Sequence, residues 1–479
     1  MMRYANTRNT TVTTAVPVPP KTRSRARALL GAAATLACLS FSGASQAIDY
    51  GPFFAHGFIK GEVTQGNNRC FDCEWAPGYS KQLNFSDEIN PGKIYGVKNT
   101  DVTLAGLWVG AKFDLGSGYK FNALVNDRWR DGNEEIRGFL YEANVGISNE
   151  EYGAVAYGAM TTRNWAWADL YGGNAGFAYP WGSSGAGYGV VKNAFRVTTR
   201  PLDILDGDIV LEVTYDPGNT EFKIHKPRFL EFWAQYHKGD LVVDLTAQDT
   251  RNGKPLSFGQ ALFYEPTRDV AWDNRVGGSG QSTVQILARY QVDTKLELSG
   301  GVRRNRWSGA LATQVVTPLF PAPPFPKACI TYLRFAQCQG TGGEWNDPFN
   351  VDWSTPNLTT GLPAGFFFRG YPVTSNDFML GARYRMGSWL SKAGLMYLGK
   401  GKTSNPSERG QSNTLTIGSL GLEYDFGNGF HIYGSLNAAR YGRIGLSPIS
   451  SPSNDAFTAV DSRIARGGMW ILSGIEYVF

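Results

Sequence analysis

The 479-residue chain is 18% charged and 13% aromatic and contains 58 glycines. Its formal charge of +5 comes from the start: Arg3, Arg8, Lys21, Arg23, Arg25 and Arg27 are basic, no acid precedes residue 48, and the rest sets 40 Lys+Arg against 41 Asp+Glu. The basic charge is therefore no sign of a nucleic-acid partner, and no apolar run after residue 47 approaches the ~18 residues of a spanning helix.

Residues 1–47 read as an export signal. Basic residues precede the apolar run 28–39, and Ser45-Gln46-Ala47 offers small residues at both cleavage positions. Residues 48–479 form one domain with no linker or low-complexity tract. Once Cys38 leaves with the signal, the remaining cysteines form two close pairs in loop-like segments. In an oxidising compartment, Cys70 with Cys73 and Cys329 with Cys338 are expected as local disulfides. The alternatives are a zinc site, which needs all four to converge, and a redox Cys-x-x-Cys, which lacks a βαβ context here.

Period-2 alternation recurs along the chain and helical periodicity is nearly absent. The strand 102–109 is apolar on both faces. In 120–130, Phe121, Ala123 and Val125 oppose Lys120, Asn122, Asn126, Arg128 and Arg130. Phe139, Tyr141, Ala143, Val145 and Ile147 alternate with Glu142 and Asn144. Leu230, Phe232, Ala234 and Tyr236 alternate with Glu231, Gln235 and His237. The same pattern continues in 241–248, 284–290 and 378–385. In the last strand Met469, Ile471, Ile475, Tyr477 and Phe479 share one face, broken only by Ser473, and Glu476 lies on the other. An apolar outer face with a mixed inner one is what barrel closure in lipid requires.

Connectors alternate between short and long. Short turns fall at 115–118, 148–151, 201–207, 238–240, 292–294, 387–388 and 427–429. Longer segments fall at 64–100, 131–137, 161–192, 216–227, 249–281, 307–374, 399–413 and 441–466. Together they predict an all-β, closed antiparallel transmembrane barrel of about sixteen strands, an even number. Twelve basic residues, among them Arg196, Arg200, Arg383 and Arg385, face inward by alternation against nine acids, which argues for a wet interior.

The chain resembles a general bacterial porin of the 16-stranded trimeric kind. The resemblance covers residues 48–479 in architecture, and its most specific local match is Gly153–Met160, the following loop and then 192–200. It implies that the loop after the fifth strand folds inward as a constriction, with Arg163, Trp165, Trp167, Asp169, Tyr171 and Tyr179 beside Arg128, Arg130, Arg196, Arg200, Arg383 and Arg385 on the wall. The chain departs from the pattern in its length and in offering Asp169 as the loop's single acid. The loop's rings suit stacking on a flat or sugar-like solute, or equally packing against the wall.

Enzymatic signals are poor: no Gly-x-Ser-x-Gly occurs, and His56, His225, His237 and His431 are scattered. The expected function is an outer-membrane porin passing small hydrophilic solutes and ions by diffusion, with weak anion preference. It would be embedded in outer-membrane lipid as a homotrimer, without catalysis, cofactor, metal or nucleic-acid partner. Two other readings fit the same residues: an 18-stranded channel selective for a sugar or carboxylate, and a barrel serving as adhesin, structural protein or hydrolase.

Overall fold

The alternation becomes sixteen long strands in the computed structural model, which describes residues 48–70, 99–131, 133–134, 140–165, 181, 185–218, 227–253, 263, 279–309, 372–403, 414–441 and 465–479. In chain order they are Phe53–Cys70 (β1), Asn99–Gly116 (β2), Tyr119–Arg130 (β3), Glu142–Asn149 (β4), Gly153–Thr161 (β5), Val190–Thr198 (β6), Gly207–Asp216 (β7) and Arg228–Lys238 (β8). There follow Leu241–Arg251 (β9), Ser279–Gln291 (β10), Leu296–Gly309 (β11), Val373–Met386 (β12), Trp389–Leu398 (β13), Leu415–Gly427 (β14), Phe430–Tyr441 (β15) and Ala465–Val478 (β16). Short pieces at Ile48–Tyr50, Asn133–Glu134, Leu202–Ile204 and Lys402–Thr403 flank them.

Each long strand pairs antiparallel with its sequence neighbours, and β16 pairs with β1 through contacts such as Ile471 with Gln65 and Val478 with Phe58. The sheet is therefore a closed barrel, which leaves no unpaired edge. Phe479 takes part in the closure: its N–H donates to Gly57 O at 2.9 Å, and the Gly57 N–H donates to Phe479 O at 2.8 Å. Only glycine fits at 57, since a Cβ there would lie 2.4 Å from Gly106 O and 2.8 Å from the Phe479 ring.

Strand period 2 sorts the side chains onto two faces. Ile59 and Val63 in β1, Val145 and Ile147 in β4, Leu230 and Phe232 in β8, Phe378 and Leu380 in β12, and Met469, Ile471, Ile475 and Tyr477 in β16 are exposed outside. Their strand neighbours Lys60, Glu62, Glu231, Asp377 and Glu476 are buried inside. This polarity is the reverse of a water-soluble sandwich. At the short-turn end aromatic rings gather: Phe53 meets Phe113 edge-on at 5.8 Å, and Tyr424 meets both Trp389 and Phe426 at 4.7 Å. Rings at that level form an interfacial girdle of the kind barrels place at a membrane boundary.

The short turns fall where the sequence puts them. Gly427, Asn428 and Gly429 have φ of 80°, 53° and 80°, the left-handed region that Gly and Asn tolerate. Between β10 and β11, Asp293 accepts the N–H groups of Leu296 at 2.8 Å and Lys295 at 2.7 Å, which hold its carboxyl below the usual range.

Two boundaries differ from expectation. β1 runs on to Cys70 rather than stopping near residue 64, because β16 continues alongside it. Tyr141 does not continue the outward row of β4: the strand begins at Glu142, and Tyr141 turns inside to pack with Trp165 and Val190. The two-faced apolar strand is also explained. Leu104 and Trp108 of β2 pack with Phe58 on the inner wall, beside the seam where β1 meets β16.

Candidate functional site

The loop between β5 and β6 begins with a helical turn at 163–165, and its described residues lie against the inner faces of β7 to β11. The start and end of the loop are first tied to each other. Thr162 N–H donates to Gly189 O at 2.9 Å, and the Thr162 hydroxyl donates to Tyr188 O at 2.7 Å. The same hydroxyl accepts the Trp165 N–H at 3.3 Å, as an N-cap does.

Each strand of the wall from β7 to β11 then supplies at least one partner. Arg163 forks onto Glu212 of β7, with Nε and Nη2 at 2.7 and 2.6 Å from its two oxygens, and lies over the Trp233 ring of β8 at 4.9 Å. Glu231 of β8 accepts the backbone N–H groups of Arg163 at 2.8 Å and Asn164 at 3.0 Å. Gln248 of β9 pairs with the Tyr188 backbone, accepting its N–H at 3.0 Å and donating to its carbonyl at 3.2 Å. Gln285 of β10 donates to Asn164 O at 3.0 Å and accepts the Trp181 indole N–H at 3.3 Å. Asn305 of β11 accepts the Ala186 N–H at 2.9 Å, and Arg303 of β11 donates to Trp181 O at 2.6 Å while stacking on its ring at 4.4 Å. Asp377 of β12 anchors Arg303 from behind at 2.9 Å. A buried network of this kind fixes one loop position, because breaking any of its hydrogen bonds leaves a buried group unpaired at a cost.

An apolar cluster backs the polar one. Met160, Tyr188, Val191, Ala194, Phe229 and Phe263 pack together fully buried. Phe263 comes from the segment between β9 and β10, and its N–H donates to Val190 O at 2.9 Å.

The residues expected at a constriction are only partly brought together. Arg163 and Arg196 converge on Glu212, the latter at 3.0 Å. Both guanidinium groups are thus drawn to the wall by one carboxylate. Arg128 is buried on β3 between the rings of Phe58 at 5.8 Å and Tyr141 at 5.4 Å, with Arg130 half-buried beyond it. Arg383 on β12 is paired with Glu297 at 2.7 Å. Arg200 and Arg385 lie at the short-turn end, Arg200 exposed and Arg385 half-buried, far along the strands from the loop. Trp165 is buried against Tyr141, so its ring packs on the wall. Trp167, Asp169, Tyr171 and Tyr179 lie outside the described residues, as do Cys73, Cys329 and Cys338, and Cys70 ends β1.

The sequence places Glu231, Gln248 and Gln285 on the polar faces of their strands without giving them a role, and Asn305 and Asp377 go unmarked. Period 2 gives the face of a residue and not its partner, and the partners here are far apart in the chain: 68 residues separate Arg163 from Glu231. Among the described residues no cluster of His, Cys, Asp and Glu has the makings of a metal site.

No family model and no curated protein matches the sequence. Solved structures do match the fold. The anion-selective porin from Comamonas acidovorans is 11% identical with a TM-score of 0.51, over 89% of this chain and 99% of that one. A loop-deletion mutant of OmpT, an outer membrane protein of Vibrio cholerae, is 11% identical with a TM-score of 0.51, over 90% of this chain and all of that one. At such identity the likeness establishes a shared architecture, a 16-stranded porin-type barrel.

Proposed function

We propose that the protein is an outer-membrane porin, exported by residues 1–47, that lets small hydrophilic solutes and ions diffuse through the barrel. One observation carries the reading. The outward faces of sixteen closed strands are apolar and the inward faces carry charges and amides. Arg or Lys on a lipid-facing strand position costs ~2–4 kcal/mol at mid-depth, so charges confined to the inside fit a wet lumen in a membrane. The loop after β5, tied across five strands of the wall, is the constriction on this reading. It assigns no catalysis and no cofactor.

Weak anion preference is part of the proposal. The acids Glu62, Glu212, Glu231, Asp244 and Asp377 are at most 1% exposed, tucked against backbone and paired groups. Lys112, Arg130, Arg289 and Arg385 share the inward parity and are half-buried, while among the acids of that parity Asp425 is half-buried and Asp114 exposed near a short turn. Ions in the lumen therefore meet more cations than acids, a small imbalance that suits a weak preference.

A homotrimer fits one stretch of outer surface. Near the seam, small or polar side chains interrupt the apolar belt: Gly434 beside Ser473, and Gly61 beside Thr103.

Swelling of vesicles containing the refolded protein tests the channel reading. Small neutral sugars should enter at rates falling steeply with solute size. Vesicles with correctly folded barrel that exclude even the smallest sugar would overturn it.

A further inference from the structure

Arg303 and Arg304 are chain neighbours with opposite fates. Arg303 points into the barrel and is 2% exposed, whereas Arg304, with Arg306 two residues on, points outward and is exposed. Nearby on the same outer face, Arg228 of β8 and Arg251 of β9 are register partners and are exposed as well. All four stand at the long-connection end of their strands. Among the described residues their only ionic partner is Asp249, 3.4 Å from Arg251, so the patch is strongly positive. Between the two pairs β10 presents Gly280 and Ser282, the register partners of Arg251 and Arg306. Arg251 leans over Gly280, 3.6 Å from where a Cβ would stand. The pairs are thus about 10 Å apart, two strand spacings, across a floor of small side chains. Below them Val284, the register partner of Arg304, opens an exposed apolar belt that continues through Ile286, Val302 and Phe378. An outward arginine is tolerated near the membrane interface and not at mid-depth, so the four mark headgroup level. Guanidinium forks there match phosphate oxygens two at a time.

We infer that the outer rim of β8 to β11 is a docking site for a lipid whose headgroup carries two phosphates. One phosphate sits on Arg228 and Arg251, the other on Arg304 and Arg306, and the acyl chains lie on the belt below. Charge complementarity and spacing select this occupant. A lipid with one phosphate leaves one pair of arginines unmatched, and a free anion makes no use of the apolar surface. The inference rests on the placement of the barrel in an outer membrane with its long connections outward, and not on conduction through the lumen.

The test loads the detergent-purified protein with diphosphoryl lipid A, its monophosphoryl form or phosphatidylcholine, and reads retained lipid by native mass spectrometry. Wild type is compared with two double variants, Arg304→Ala with Arg306→Ala and Arg228→Ala with Arg251→Ala. The control is Arg440→Ala, which removes an exposed outward arginine on β15, remote from the patch. Folding is checked by heat-dependent gel mobility. Wild type should retain the diphosphoryl lipid, hold the monophosphoryl form several-fold more weakly and release phosphatidylcholine. Each double variant should bind the diphosphoryl lipid roughly ten-fold or more weakly and lose the preference for two phosphates over one. Arg440→Ala should match wild type. If a double variant does not fold, Arg306→Ala and Arg251→Ala alone carry the comparison. Undiminished binding by the folded variants, an equal loss in Arg440→Ala, or equal retention of all three lipids would overturn the assignment. So would displacement of the lipid by millimolar inorganic phosphate, which would make the patch a site for free anions.

Discussion

Along β7 to β11 the inner wall is met by another stretch of chain, and it is lined with acids, amides and arginine: Glu212, Glu231, Gln248, Gln285, Arg303 and Asn305 each find a partner in the β5–β6 loop. Across the seam of β15, β16, β1 and β2 the inner wall is lined with rings instead. Phe54, His56 and Trp108 stack in a row at 5.9 and 5.5 Å, Phe58 leans on Trp108 at 5.9 Å, and Tyr433 lies over Gly474 to donate to Glu62 at 2.6 Å. Both walls face the same interior and both bury charge. One pairs it with loop backbone and counter-charge; the other sets Lys60 3.9 Å from Glu62 among rings packed into glycine-made space. The loop-bearing wall should thus be sensitive to the loss of a polar group, and the seam to added volume.

The largest effect should come from removing the carboxylate shared by Arg163 and Arg196. Glu212→Leu leaves two buried guanidinium groups without it and should cost about 3–5 kcal/mol in urea unfolding from vesicles. A loss well under 1 kcal/mol would mean that the loop-bearing wall is not held by charge. Next comes the outer face at the seam: Ile471 points outward, and Ile471→Arg should cost ~2–4 kcal/mol by the same assay. If that variant is as stable as wild type, the seam's outer face does not meet hydrocarbon.

Volume is the matching test inside the seam. An added Cβ at Gly474 would sit 2.3 Å from the Tyr433 ring, so Gly474→Ala should displace the ring from Glu62 and cost roughly 1–3 kcal/mol. A neutral Gly474→Ala would show that ring packing there is loose. The smallest effect belongs to the exposed pair of Lys120 with Glu150 at 3.2 Å, where Glu150→Ala should change stability by less than about 1 kcal/mol. A larger change would mean that the turn outside both walls contributes more than its exposure allows.

Much of this architecture was legible in the chain. Alternation in 469–477 puts Ile471 outside and Glu476 inside, as the structure has them, and each short turn separates two paired strands. The division of labour between the walls was not legible. Nothing local tells Tyr433 that it will meet Glu62, 371 residues away, or marks Glu231 as a backbone acceptor rather than a free lumen charge. Tyr141 shows the converse limit: alternation carried it outward by parity, but the strand starts one residue later and the side chain is free to turn in. The arginine set reads as unbalanced charge in one dimension, and in three dimensions Arg163, Arg196 and Arg383 each sit on a carboxylate.

The central claim, a barrel that conducts through its polar interior, is tested most directly by planar-bilayer recording of the purified protein in a salt gradient. Discrete conductance steps are expected, grouped in threes, with a reversal potential displaced modestly toward that of the anion and more so at low salt, where fixed charges are less screened. A correctly folded barrel that inserts without conducting would contradict the claim.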